Sequence, residues 1–299
     1  MRNFVTLVMA LGMLSVSVHA ASLQQRLDSA VNATVSEFSK QALKTNELAA
    51  SIRFWREGQP AELAQYRGTE TIYPASVVKL FYLAAAHRWM EDGKLADTPE
   101  LRRAMRDMIV ESYNEATHYV LDALTGTTSG PELPPAEMID WVERRNAVNR
   151  YYVGLGYAHI NVNQKPWCEG PYGRDRLFVG EKYDNRNALT TDAVARLLMD
   201  IAQGKSVTAQ RSQEMMKLLE RDYTAPATDP EDQAHGFSAL ALKPGAKLWS
   251  KAGWTSSTRH DAAYVEWPDG RRAVLVIFTT NHANERMIIP SLLKRLIAE

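Results

Sequence analysis

Strand-like patterning is confined to the two ends of this chain, with a long helical stretch between them, and that layout limits the folds open to it. Near the start, Ala49 to Arg56 alternates Ile52 and Phe54 against charged neighbours, and a second short strand is expected at Leu63 to Tyr66. Near the end, Lys247 to Trp254, Asp261 to Trp267 and Ala273 to Thr280 alternate or run apolar, with Pro268-Asp269-Gly270 as the turn between the last two. Apolar residues recur every three to four positions over Leu23 to Thr45, Ala75 to Met90, Leu101 to Leu124 (with a break at Ser112-Tyr113-Asn114), Met138 to Arg145 and Thr191 to Gln203. Glu285 to Ile297 closes the chain as a further helix, and Tyr151 to Arg186 reads as one long loop.

The expected fold class is therefore α+β. One antiparallel sheet, assembled from both chain ends and flanked by helices, comprises residues 21–74 and 220–299. A mostly helical lobe spans residues 75–219, and the two lobes form one catalytic domain with a cleft where they meet. Hydrophobic residues are 45% of the 299, enough for a sizeable core. Lys plus Arg and Asp plus Glu both number 35, so no basic field exists to collect nucleic acid. The seven histidines show no H-E-x-x-H spacing, and no metal or cofactor is expected. Cys168 is the single cysteine and is expected to be buried as a small hydrophobe.

Residues 1–20 have the make-up of a signal peptide. Arg2 precedes an apolar run from Phe4 to Val18, and Val18-His19-Ala20 supplies small residues for cleavage near Ala20 or Ala21. The run is short for spanning a hydrocarbon core of about 30 Å. Export to the periplasm, with no stable membrane insertion after cleavage, is the expectation.

Three short motifs carry the chemistry. Ser76-Val77-Val78-Lys79 opens an apolar helix, and its spacing puts hydroxyl and amine on one face. A serine hydroxyl needs a base, and a desolvated lysine can be one. The pattern alone is weak, because Ser291-Leu292-Leu293-Lys294 repeats it within the terminal helix. Ser112-Tyr113-Asn114 places a hydroxyl and a carboxamide two positions apart, although such residues more often cap a helix. Lys251-Ala252-Gly253-Trp254 puts a cation and a glycine on a strand, where a substrate backbone can approach.

In this order the three motifs resemble those of the penicillin-recognising serine hydrolases, most closely the class A β-lactamases with their S-x-x-K, S-D-N and K-T-G. The resemblance extends over roughly Ile52 to Ile297, with the middle loop poorly matched. It implies that Ser76 is acylated with Lys79 as base or proton partner, and that Ser112 shuttles the proton. It further implies that Asn114 holds the substrate amide, that Lys251 binds a substrate carboxylate beside Gly253, and that the amides of Ser76 and Trp254 form an oxyanion hole. Arg259 falls near the family's carboxylate-binding arginine.

Three departures stand out. Tyr113 replaces the aspartate, and Ala252 replaces a threonine whose hydroxyl Thr255 or Ser256 would have to supply. No Glu followed by Leu-Asn occurs between Tyr151 and Thr190, which leaves Glu169 and Glu181 as candidate deacylating bases by proximity alone. The implied function is an exported serine hydrolase forming an acyl-enzyme on a β-lactam, a related amide or a peptidoglycan-derived substrate. A D-alanyl-D-alanine peptidase or esterase, and a non-catalytic cell-wall binding module, are the alternatives.

Overall fold

The computed structural model describes residues 21–168, 170–227 and 229–297. The leader expected at residues 1–20 lies outside them, and so does Glu169. A six-stranded antiparallel sheet runs in the order β2-β1-β6-β5-β4-β3. Its strands are β1 (Leu48–Arg56), β2 (Glu62–Tyr66), β3 (Glu220–Arg221), β4 (Lys247–Trp254), β5 (Thr258–Glu266) and β6 (Arg271–Thr280). The first two come from one end of the chain and the last three from the other, joined where β1 pairs β6 over nine residue pairs from Leu48↔Thr279 to Arg56↔Arg271. The alternation read from the sequence has a physical counterpart here. Ala49, Trp55, Tyr264, Val274, Val276 and Phe278 face one core, while Leu48, Ala50, Ile52, Leu275 and Ile277 face another.

The second core is closed by α1 (Leu23–Glu37) and α10 (Ile288–Ile297), which pack on each other across that sheet face. Helix α1 is shorter than its periodicity suggests and ends in two short 3-10 turns before β1. Its N-terminus has a full capping box, Ser22 with Gln25. On the opposite face lie α2 (Lys79–Glu91), α8 (Thr191–Ala202) and α9 (Ala209–Leu219). Ten consecutive residues of this lobe's central helix and its start, Val77 to Ala86, are at most 1% exposed. A helix buried all round is a poor surface element but a good axis for a lobe, since each buried Leu or Phe contributes about 1.5–3 kcal/mol.

The segment read as one long loop contains structure of its own. Helix α5 (Pro135–Arg145) is followed by α6 (Ala147–Gly154), and α7 (Gly173–Val179) forms inside the stretch. The order there is tertiary in origin. Arg145 is fully buried and pairs with Asp175 at 3.0 Å, Lys165 pairs with Asp122 at 2.7 Å, and Phe178 meets Trp141 edge-on at 5.4 Å. Gly173, at φ +49°, leads into α7 where a Cβ would lie 2.1 Å from the Gly130 carbonyl oxygen. No helix among the described residues is long and apolar enough to cross a membrane.

Candidate active site

The site is set by one close approach, of strand β4 to the turn that leads into α2. Ser76 lies in a 3-10 turn, Ala75–Val78, that runs directly into α2, so helical structure starts close to the serine and becomes α-helical at Lys79. Ala75 before it is held at φ +47°, a left-handed conformation that costs a non-glycine residue of order 1 kcal/mol or more. Being in the first turn, the Ser76 N–H has no acceptor within its own helix. Strand β4 passes immediately beside it. A Cβ on Gly253 would stand 2.7 Å from the Pro74 carbonyl oxygen and 2.9 Å from the Ser76 nitrogen, so only glycine fits.

The strand's hydrogen-bond parity fixes which amides face the cleft. Thr255 N–H donates to Thr258 at 3.0 Å across the β4–β5 turn, which places residues 251, 253 and 255 on the β5 side. Residues 250, 252 and 254 therefore turn outward. The outward carbonyl of Ser250 accepts from Arg221 at 2.9 Å, and the outward Ala252 N–H donates to Gln233 at 3.1 Å. The Trp254 N–H points the same way, from the residue next to the Gly253–Ser76 contact.

Lys79 is fully buried. Its ammonium donates to the Ser112 carbonyl at 2.6 Å, to Ser112 Oγ at 3.2 Å and to Asn114 Oδ1 at 2.9 Å. Burial is the main force on its pKa and pushes it down to about 7, partly opposed by Cys168 and Glu115. Ser112 sits at φ +59°, directly after a π-helical turn, Asp107–Glu111, that interrupts the run from α3 (Pro99–Arg106) to α4 (Asn114–Thr125). Such a turn re-aims the chain at one residue. Neither the Ser112 nor the Asn114 side chain caps α4, which has no side-chain cap at its N-terminus. The Asn114 amide bridges Lys79 to the long loop, donating from Nδ2 to the Trp167 carbonyl at 2.7 Å.

Lys251 reaches the same hydroxyl from the other lobe, donating to Ser112 Oγ at 2.9 Å. It is 0% exposed, and its other hydrogens go to Gln233 Oε1 and, at 2.8 Å, to the Ala252 carbonyl. Burial first, then the neighbouring Lys79 and Arg221, push its pKa well below that of an ordinary lysine. Gln233 was not legible in the sequence. It lies in a polar stretch between β3 and β4 without periodicity, yet it also donates from Nε2 to the Val110 carbonyl at 2.9 Å and so ties both lobes to Lys251.

Other candidate residues lie further out. Arg259 is buried and held by Glu231 at 3.0 Å and by the Gly236 carbonyl at 2.6 Å, its guanidinium stacked 4.1 Å from Phe237. The Thr255 hydroxyl accepts from the Ser257 and Thr258 amides and holds the β4–β5 turn. Glu181 is exposed in the turn after α7, where its carbonyl accepts from Arg176. Cys168, expected in the core, is exposed instead, with Sγ 3.9 Å from His118 Nε2. The loop bearing it rides over α4 on the Pro166 and Trp167 carbonyls, which turns the thiol outward.

The profile of the beta-lactamase enzyme family matches residues 96–292, a stretch that includes Ser112, Asn114 and Lys251 and begins after Lys79. No curated protein matches the chain. A class A β-lactamase from Bacteroides cellulosilyticus superposes with a TM-score of 0.64 at 14% identity, over 93% of this chain and 98% of that one. A β-lactamase from Sphaerobacter thermophilus gives 0.62 at 18% identity, over 91% and 94%. A PBP-A mutant, as its acyl-enzyme complex with penicillin G, gives 0.61 at 16% identity, over 90% and 95%. At these identities the likeness is one of fold, and it agrees with the sheet and helices described above. Because the family profile covers well over half of the residues, the chain belongs to the beta-lactamase enzyme family.

Proposed function

We propose that this protein is an exported active-site-serine hydrolase that forms an acyl-enzyme at Ser76 on a β-lactam or a related amide or ester. The observation that carries the reading is the double hold on Ser112 Oγ, by Lys79 at 3.2 Å and Lys251 at 2.9 Å, beside a serine whose amide touches Gly253.

Lys79, with its pKa near 7, is half neutral at neutral pH and can take the Ser76 proton as Oγ attacks the carbonyl carbon. The Ser76 amide, with no acceptor in its own helix, and the outward Trp254 amide are our candidates for donating to the oxygen that becomes negative. Ser112 has two lone pairs, and when both lysines donate into them its O–H is left to face the leaving group. The proton then passes from Lys79 through Ser112 to the departing nitrogen or oxygen. Asn114 keeps Lys79 in register. Water completes the cycle by attacking the ester, and Glu169, next to the loop residues that contact Asn114 and His118, is our candidate for activating it. The apolar run from Phe4 to Val18 supports export to the periplasm.

The test is incubation of the mature protein with a chromogenic cephalosporin and, in parallel, with an uncharged fluorophosphonate, following turnover and intact mass. A mass adduct at Ser76 that is absent in Ser76→Ala is the expected result. Full labelling of Ser76→Ala, or none of the wild type by either reagent, would sink the covalent mechanism.

A further inference from the structure

The cationic side chains at the leaving-group end of the cleft are closed to ligands. Lys251 contacts Ser112, the group that faces the leaving atom in the reading above, so a carboxylate on the leaving group would have to be met here. All the hydrogens of the Lys251 ammonium are bound inside the protein, to Ser112, Gln233 and its neighbour's carbonyl, and the side chain has no exposed surface. Gln233 also occupies the outward Ala252 amide, which an incoming carboxylate could otherwise use. Arg259, directly across from Trp254 in the β4–β5 register, is 5% exposed and ion-paired to Glu231, which it shares with Arg286. Both cations are buried and held by groups of the protein itself.

What the lip does present is aromatic. Trp254 is 45% exposed and rests on Phe237, ring centroids 5.7 Å apart, while Tyr113, beside Ser112, is 56% exposed. A carboxylate brought here would shed its water and receive no compensating donor from either cation, and that cost falls on binding and transition state alike. An apolar group would instead cover exposed ring surface.

Resting on the acyl-enzyme reading above, we infer that, among the substrates it allows, this site prefers an ester or amide whose leaving group carries no carboxylate and offers an apolar or aromatic flank. β-Lactams with a carboxylate beside the leaving nitrogen are then its poorer substrates. In the step itself, the Ser76 Oγ–carbonyl bond forms and the bond to the leaving oxygen or nitrogen breaks. The Ser76 proton ends on the leaving group, and water later releases the acid and restores the serine. No oxidant or cofactor enters.

The experiment is a matched pair of esters, phenyl phenylacetate and 3-carboxyphenyl phenylacetate, hydrolysed by the full mature protein. The values of kcat/KM are divided by the hydroxide-catalysed rates to remove intrinsic reactivity. Fluorophosphonate labelling of Ser76 is measured on the same preparation. The expected ratio favours the uncharged ester by about tenfold or more, the scale of one unpaired polar group. A ratio at or below one with Ser76 still labelled overturns this inference and leaves the acyl-enzyme reading standing. Absence of labelling and of turnover removes both. Glu231→Gln, which removes the carboxylate shared by Arg259 and Arg286, is expected to move the ratio toward the carboxylated ester by about threefold or more. An unchanged ratio overturns the part assigned to the Arg259–Glu231 pair.

Discussion

The chain contains the same four-residue pattern twice, each copy close behind a proline, and the two have opposite surroundings. Ser76 is half-buried at the meeting of the lobes, and Lys79 behind it is sealed, desolvated and held by Ser112 and Asn114. Ser291 is buried on α10 with its hydroxyl donating to the Glu37 carboxylate and accepting from Arg295, and Lys294 is exposed. A hydroxyl bound to a carboxylate and an ammonium in water make neither a nucleophile nor a base. The difference lies in what the rest of the chain brings to each copy, because desolvation is a tertiary property and depresses a lysine's pKa only where a second lobe covers it.

Exchanging the two serines breaks or sustains that contrast with the largest effect. Ser76→Ala is expected to lower acylation by about 1000-fold or more, as loss of a catalytic nucleophile does. Ser291→Ala should leave it within twofold, about the resolution of the rate measurement. The readout is the stopped-flow rate of adduct formation. Comparable losses in both variants would end the distinction.

The lysines give the next largest separation. Lys79→Arg keeps a cation but removes a group able to be neutral near pH 7, and the expected loss is about 100- to 10,000-fold in acylation rate. Lys294→Arg should cost nothing measurable. The wild-type rate should rise with pH through about 7, where Lys79 loses its proton, and level off above. A profile flat from pH 5 to 9 would exclude Lys79 as the base.

Much of this site was readable because its parts are local. Ser76 and Lys79 share one helical turn, Ser112 and Asn114 one break, and Lys251 and Gly253 one strand, so spacing alone placed each pair. The sheet was readable from apolar runs and alternation in β1, β5 and β6, which are buried along most of their length because alternate residues face two different cores. What escaped depends on distant partners. Gln233 gains its place only when the loop after β3 folds between Val110 and Lys251. Helix α7 exists because Arg145 and Trp141, about thirty residues earlier, bind its Asp175 and Phe178. Cys168 is turned outward by carbonyl contacts from Asn114 and His118 that no periodicity announces.

Buried amines also leave a mark on stability. The folded pKa of Lys79 is about 7 against 10.5 for an ordinary lysine, so between these values the unfolded chain holds a proton that the folded one lacks. Stability from this group therefore rises with pH across that window, by at most about 1.4 kcal/mol per pH unit, and is lowest below pH 7. Urea unfolding at pH 7.5, 8.5 and 9.5 should show a steeper rise in wild type than in Lys79→Met. Parallel lines would mean that Lys79 stays charged in the fold, and with it the contrast with Lys294 would narrow.

The smallest effect belongs to the inert copy. Ser291→Ala removes a hydrogen bond to Glu37 that holds α10 against α1, and Ser291 itself is buried at 6% exposure. Its partner carboxylate is 47% exposed and also paired with Arg295 at 2.9 Å, so water and that arginine satisfy it when the hydroxyl goes. The expected cost is about 1 kcal/mol or less, read as a lower urea midpoint at unchanged m-value. A loss of several kcal/mol would show that the helix pair depends on this one contact. The apolar packing of Leu292 and Leu293, both fully buried, argues that it does not.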